Sequence, residues 1–167
     1  MRNRFFGLCL PPMLIGILDG SITLVGQPAE YWAGNYSRAV EGNPTFYGMM
    51  IISPWAAVAL FAIWMGLCVG LILLLPDTLA LIVSIAVTLW HSVGAATWLL
   101  FHFRCSYQTC DALFLFTAVL LGTCIRCGWQ AVPAQPYQVS LKPTRRWVTV
   151  AILLAIVLFI NFWPYYK

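Results

Sequence analysis

Two stretches of the chain decide most of what it can become. Met49 to Leu75 is 27 residues and Leu79 to Phe103 is 25 residues, and neither holds an Asp, Glu, Lys or Arg. A backbone buried in hydrocarbon must satisfy its own N–H and C=O groups, which a helix does within itself. About 20 apolar residues suffice to cross the bilayer core. Both stretches therefore read as membrane-spanning helices. A transmembrane β-barrel would show strands of about 10 residues with apolar and polar positions alternating, and these uninterrupted runs exclude it. Composition agrees, with 62% of 167 residues hydrophobic, 8% charged and a mean hydropathy of +0.86. A soluble domain carries about 25% charged residues, so a water-soluble monomer is excluded. Disorder is excluded as well, because it needs low hydrophobicity. The net charge of +4 comes from residues scattered or beside apolar runs, where topology accounts for them. Nucleic acid is not an expected partner.

The expected fold class is an all-α integral membrane protein of about five transmembrane helices. The spans fall at residues 5–26, 49–75, 79–103, 112–129 and 147–163, and residues 1–167 form one membrane domain. Asp19 inside the first run is atypical of a cleaved signal, so the run reads as a retained helix. Thr78 is the expected N-cap of the third span. Residues 27–48 form an aromatic and polar loop. Residues 130–146 hold Pro133, Pro136, Pro143, Lys142, Arg145 and Arg146. With the N-terminus inside, Arg2, Arg4, Arg126, Lys142, Arg145 and Arg146 are cytoplasmic, and Arg38, Arg104 and Lys167 are outside. The excess of inside positives favours an inside N-terminus and an outside C-terminus.

Lipid offers no polar partner, so stripes of polar and small residues mark protein-facing helix sides. Ser84, Thr88, His91, Ala95, Trp98 and His102 recur at 4, 3, 4, 3, 4, which keeps one face of the third span. Pro12, Gly16, Asp19, Thr23 and Gly26 give the first span a matching stripe. The second span offers Ala59, Ala62 and Gly66-x-x-x-Gly70, a close-approach motif. The first three spans are expected to form the core, with the fourth and fifth at its flank.

An ionisable residue in a span costs about 2.5–3.5 kcal/mol on insertion scales and is a functional hypothesis by default. Asp19 is the only acid in an expected span, and His91 lies at the middle of the third at similar depth. Glu41 sits in Glu41-Gly42-Asn43-Pro44, a turn whose Pro44 can open a helix. Pro28 can open a short surface helix before it. The candidate polar site is Asp19, Thr23, Gln27, Glu41, Asn43, His91 and His102. Asp19, Glu41 and His91 are candidate metal ligands, since carboxylate and imidazole suit Zn, Mn or Fe. His91 and His102 are about 16 Å apart along one helix, so one chain cannot clamp one haem between them. Cys105 and Cys110 share a short outer loop where a disulfide is possible. Cys124 and Cys127 are read as packing cysteines. No zinc-protease, nucleophile-elbow, phosphate-loop or dinucleotide motif is present.

Asp19-x-x-x-Thr23, a polar loop, and Glu41-x-Asn43-Pro44 before a second span resemble an uncharacterised family of small multi-span bacterial and archaeal membrane proteins. That family is a domain of unknown function with an Asp/Thr first helix and a Glu-x-Asn-Pro motif. The likeness covers residues 15 to 103; the long outer loop and the fourth and fifth spans depart from it. It implies that Asp19, Thr23, Glu41, Asn43 and Pro44 act together and that the chain sits in a bacterial cytoplasmic membrane. It supplies no reaction and no cofactor. With so little chain outside the bilayer, the leading expectation is a non-enzymatic membrane component or complex subunit. It would bind itself or other membrane proteins through its small-residue faces. The alternative is a small transporter or an intramembrane metal-dependent enzyme using Asp19, Glu41 and His91. A second alternative is a haem- or pigment-binding subunit.

Overall fold

The structure, a computed structural model, describes residues 5–130 and 143–162, with side chains over 5–128 and 144–156. Arg2, Arg4, Lys142, Lys167 and most of the Pro-rich inner loop lie outside the described residues. Every described element is helical. A π-helical turn, Phe5–Cys9, leads into α1, Leu10–Val25. The outer loop holds two short pieces, α2 at Ala29–Trp32 and a 3-10 turn at Tyr36–Arg38. Then come α3, Pro44–Met50; α4, Pro54–Leu74; α5, Asp77–Phe101; α6, Tyr107–Gln130; and α7, Pro143–Phe162. Among the described residues, four helical stretches are long and apolar enough to cross a membrane: Phe5–Val25, Pro54–Leu74, Asp77–Phe101 and Tyr107–Gly128.

Proline and serine set several boundaries. Pro11 and Pro12 have no N–H to give, and their rings crowd the preceding turn, which widens into the π turn. Pro12 cannot donate to the Leu8 carbonyl four residues back. The Ser84 hydroxyl donates to that carbonyl instead, at 2.6 Å, and ties α1 to α5. The second span starts later than residue 49. The chain leaves α3 at Met50 and turns a corner, and Ser53 caps α4 by accepting from Ala56 N at 3.0 Å. Pro54 then occupies the first helical turn, where its missing N–H costs nothing. The third span also starts earlier than expected. Pro76, not Thr78, is the residue before the helix, and Asp77 sits in its first turn, where its charge complements the helix dipole. At the C-terminal end of α4 the Arg146 guanidinium donates to the Leu74 carbonyl, an interaction suited to a helix C-terminus.

The core is built on the two polar stripes. α1 packs most extensively on α5. Ser84, Thr88, His91, Ala95 and Trp98 are all buried on α5, as the spacing requires. His102 is not; it follows the end of the helix, is exposed, and stacks on Trp98 with ring centroids 4.0 Å apart. The buried hydroxyls of Thr88 and Ser92 donate back to the Ser84 and Thr88 carbonyls at 2.7 and 2.9 Å, so they carry no unsatisfied donor. Ser92 also meets Thr117 of α6 at 3.1 Å. α6 is more than a flank at its C-terminal end. A Cβ on Gly7 would lie 3.0 Å from Gly128 Cα, so the two backbones touch there because both are glycine. Leu8, Cys9, Leu71, Ile72, Leu75, Ala80 and Val150 close that end of the bundle with an apolar cluster.

Candidate functional site

The opposite half of the bundle is not closed in this way. A cavity of about 600 Å³ lies among α1, α4, α5 and the segment before α3. Asp19 and Thr23 reach it from α1, Glu41 and Asn43 from the loop, and His91 from α5. Five of the seven expected site residues thus line one space. Gln27 and His102 do not.

At its base Asp19 Oδ2 and His91 Nδ1 are 2.8 Å apart. The side chains retain 17% and 8% of their exposure, so the pair is largely out of reach of solvent. Two glycines allow it. A Cβ on Gly94 would sit 2.8 Å from both Asp19 carboxylate oxygens, so only glycine lets that carboxylate lie against α5. A Cβ on Gly16 would meet Met65 at 3.0 Å and the His91 ring at 3.5 Å, so helix contact closes the space beneath the pair. Phe61 packs edge-on to His91 with centroids 6.0 Å apart, and Phe46 packs on Phe61. His91 Nε2 is buried and has no hydrogen-bond partner among the described residues. An imidazole with one nitrogen held by a carboxylate and the other free is oriented for proton exchange at the free one.

The outer loop is fastened above this site. Gln27 is 6% exposed. Its Nε2 donates to the Thr23 and Val40 carbonyls at 2.9 and 2.8 Å, and its Oε1 accepts from Val40 N at 2.8 Å. The fully buried Tyr31 anchors the same loop, edge-on to Trp32 and Tyr36. Burial, with Tyr36 adding to it, pushes the Tyr31 hydroxyl above its usual pKa. Gln27→Ala removes three bonds, each contributing about 1 kcal/mol net. We expect a loss of about 2–3 kcal/mol, read as a lower melting temperature in lipid and faster proteolysis of residues 33–40.

Glu41 accepts from Asn43 N at 2.7 Å, and Asn43 in turn caps α3 by accepting from Thr45 N and Phe46 N at 2.9 and 3.3 Å. The Glu-x-Asn-Pro order is thus a capped helix start that aims a carboxyl at the cavity. Loss of hydration pushes the Glu41 pKa above the usual carboxylate value; the charge on Asp19 adds to this, and the N–H groups of Asn43 and Gly42 oppose it. A folded value above the unfolded one means the loop is best held with Glu41 protonated. That contribution is complete below the unfolded pKa and is lost as pH rises through the raised folded one. The melting temperature of the parent protein should therefore fall between acid and neutral pH, and Glu41→Gln should flatten that fall.

Among the described residues, no three His, Cys, Asp or Glu side chains group closely enough to hold a metal ion together. Asp19, Glu41 and His91 share the cavity without forming such a set. Cys105 and Cys110 are both free thiols. No disulfide joins them, because Cys110 is buried at the start of α6 with its Sγ directed at the Ala96 carbonyl, 3.6 Å away. Sequence reasoning placed Trp98 on the protein-facing stripe but missed Phe46, Phe61, Trp64 and Trp90, which complete an aromatic wall with it. It also missed Gly94, whose only sequence signal is its place three residues after His91 on an otherwise Ser/Ala-rich helix. No protein-family model, curated protein or solved structure matches the chain. Its function is therefore argued from this geometry.

Proposed function

We propose that the chain is a five-span membrane protein, N-terminus inside and C-terminus outside, that admits a small amphiphile to its outer cavity and exchanges protons through Asp19 and His91. α7, Pro143–Phe162, is the fifth span in this reading. The observation that carries it is the 2.8 Å Asp19–His91 pair at the cavity base, with His91 Nε2 buried and unpartnered. Asp19 orients the ring and stabilises its protonated form, and Nε2 takes and gives the proton; a carboxylate behind a catalytic histidine acts in this way. The apolar walls suit a ligand with a hydrocarbon body. Glu41 and Asn43 stand at the outer mouth.

The test is proton release. Protein reconstituted in lipid nanodiscs, with a pH indicator dye, should release protons when a bound amphiphile is added, and His91→Gln should not. Absence of any amphiphile-linked proton change in the parent protein would contradict the proposal.

One observation favours a second reading, in which the chain is also a subunit. Ala59, Ala62 and Gly66 are exposed on α4, and nothing lies within 4 Å of a Cβ built on Gly66. A second helix can approach closely there. Native electrophoresis in mild detergent should then give a band heavier than the monomer. A monomer band alone would exclude this second reading and leave the cavity proposal untouched.

A further inference from the structure

We infer that the ligand of the cavity is a lipophilic cation, an amine or quaternary ammonium on an apolar body, which enters sideways from the bilayer and replaces the His91 proton as the counter-charge of Asp19. The inference rests on the function proposed above and names its ligand class.

The electrostatics of the lining select the sign of the ligand. Its titratable groups are Asp19 from α1, Glu41 from the loop and His91 from α5; α4 contributes Phe61 and Trp64, which do not titrate, and no Lys or Arg is among the described lining residues. An anionic headgroup would meet two carboxylates and no fixed positive charge. A cation meets the reverse, inside aromatic walls whose ring faces attract positive charge.

The shape selects the body. Ile17, Val58, Trp90 and Val93, from α1, α4 and α5, line the cavity and are themselves 54%, 39%, 72% and 56% exposed. The space therefore opens sideways between helices, at membrane depth. Gly16 against Met65 and the apolar inner cluster shut it from the other side. A ligand reaches the Asp19–His91 pair from the outer leaflet with its apolar part still in lipid.

The charges balance. With His91 protonated, the Asp19–His91 pair is neutral overall. When the ligand cation binds beside Asp19, the Asp19–His91 pair gives up one proton to water in the cavity. One positive charge enters, one proton leaves, and the site keeps its charge. The unpartnered Nε2 is the atom such an exchange needs.

The experiment compares decyltrimethylammonium, decanol and decyl sulfate by equilibrium dialysis on the full chain in phosphatidylcholine nanodiscs, with empty discs subtracted. The cation should bind at least tenfold more tightly than either analogue, weaken as pH falls, and release protons on binding. Asp19→Asn should collapse the preference to less than threefold. Glu41→Gln, a second variant that keeps the loop cap, should lower it severalfold. A melting transition in each variant establishes folding. Equal binding of decanol and the cation, with protons released by both, would overturn the cation assignment and leave the proposed function standing. Tightest binding of decyl sulfate would overturn the assignment as well. Binding of none of the three would overturn both.

Discussion

Replacing Asp19 by Asn is expected to cut amphiphile-linked proton release at least tenfold while the bundle still assembles. Asn presents an oxygen where Oδ2 stands, so the 2.8 Å bond to His91 Nδ1 can be kept. What goes is the charge. A hydrogen bond to an ionised partner contributes about 1.5–3 kcal/mol against about 1 for a neutral one, so the stability loss should be about 1 kcal/mol. The functional loss is larger because a neutral amide neither stabilises an imidazolium nor attracts a cation. Asp19→Ala would be a poorer probe, since it leaves the buried ring with neither nitrogen bonded, at a cost of about 1–3 kcal/mol. Proton release and melting temperature, measured on the same nanodisc sample, separate the two effects. A variant that releases protons as the parent does would remove Asp19 from the mechanism.

Gly94→Ala should be more damaging to both structure and function, although it touches no ionisable atom chemically. In an ordinary helix interior this change gains about 1 kcal/mol. Here the new Cβ would lie 2.8 Å from both Asp19 oxygens and 3.1 Å from its Cγ, with α1 and α5 tightly packed around it. Either the carboxylate rotates away from His91 or the helices separate. Overpacking of this kind costs about 1–3 kcal/mol, and proton release should fall with it. Gly122→Ala, on the exposed side of α6 and outside the face proposed for a second helix, is the matched control. Nothing lies within 4 Å of its Cβ position, so the helix-propensity gain of up to about 1 kcal/mol should appear unopposed. Equal melting temperatures for the two variants would mean that Asp19 does not lie against Gly94.

The parts of this structure that follow from chemistry repeated along one helix could be read from the sequence. The 4-3 spacing from Ser84 to Trp98 put a polar stripe on one side of α5, and that side is buried. Asp19 and His91 stood out because hydrocarbon tolerates few ionisable groups, and two at similar depth have reason to meet. The same periodicity misled at His102. It does keep His102 on the Trp98 side, where the two rings stack, but the residue caps the end of the helix, is exposed there and does not line the cavity. The corner at Ser53 escaped because its neighbours, Ile51, Ile52 and Trp55, are as apolar as the span itself, and hydropathy does not register a turn made of apolar residues. The Cys105–Cys110 spacing suggested a bridge, whereas in the structure both thiols are free and the Cys110 Sγ lies at the Ala96 carbonyl. Gly94 was illegible for a different reason. Its role is a void that a carboxylate from another helix fills, and that demand exists only once α1 and α5 have packed.

Nitrogen-15 NMR of the two histidines in lipid nanodiscs tests the dyad most directly, because His102, exposed and stacked on Trp98, serves as an internal reference for His91. The Nδ1 of His91 should carry the signature of a bond to a carboxylate, lost in Asp19→Asn, and its Nε2 should shift when decyltrimethylammonium is added while His102 stays still. A His91 spectrum that is identical in the Asp19→Asn variant and indifferent to the ligand would contradict the dyad and the function built on it.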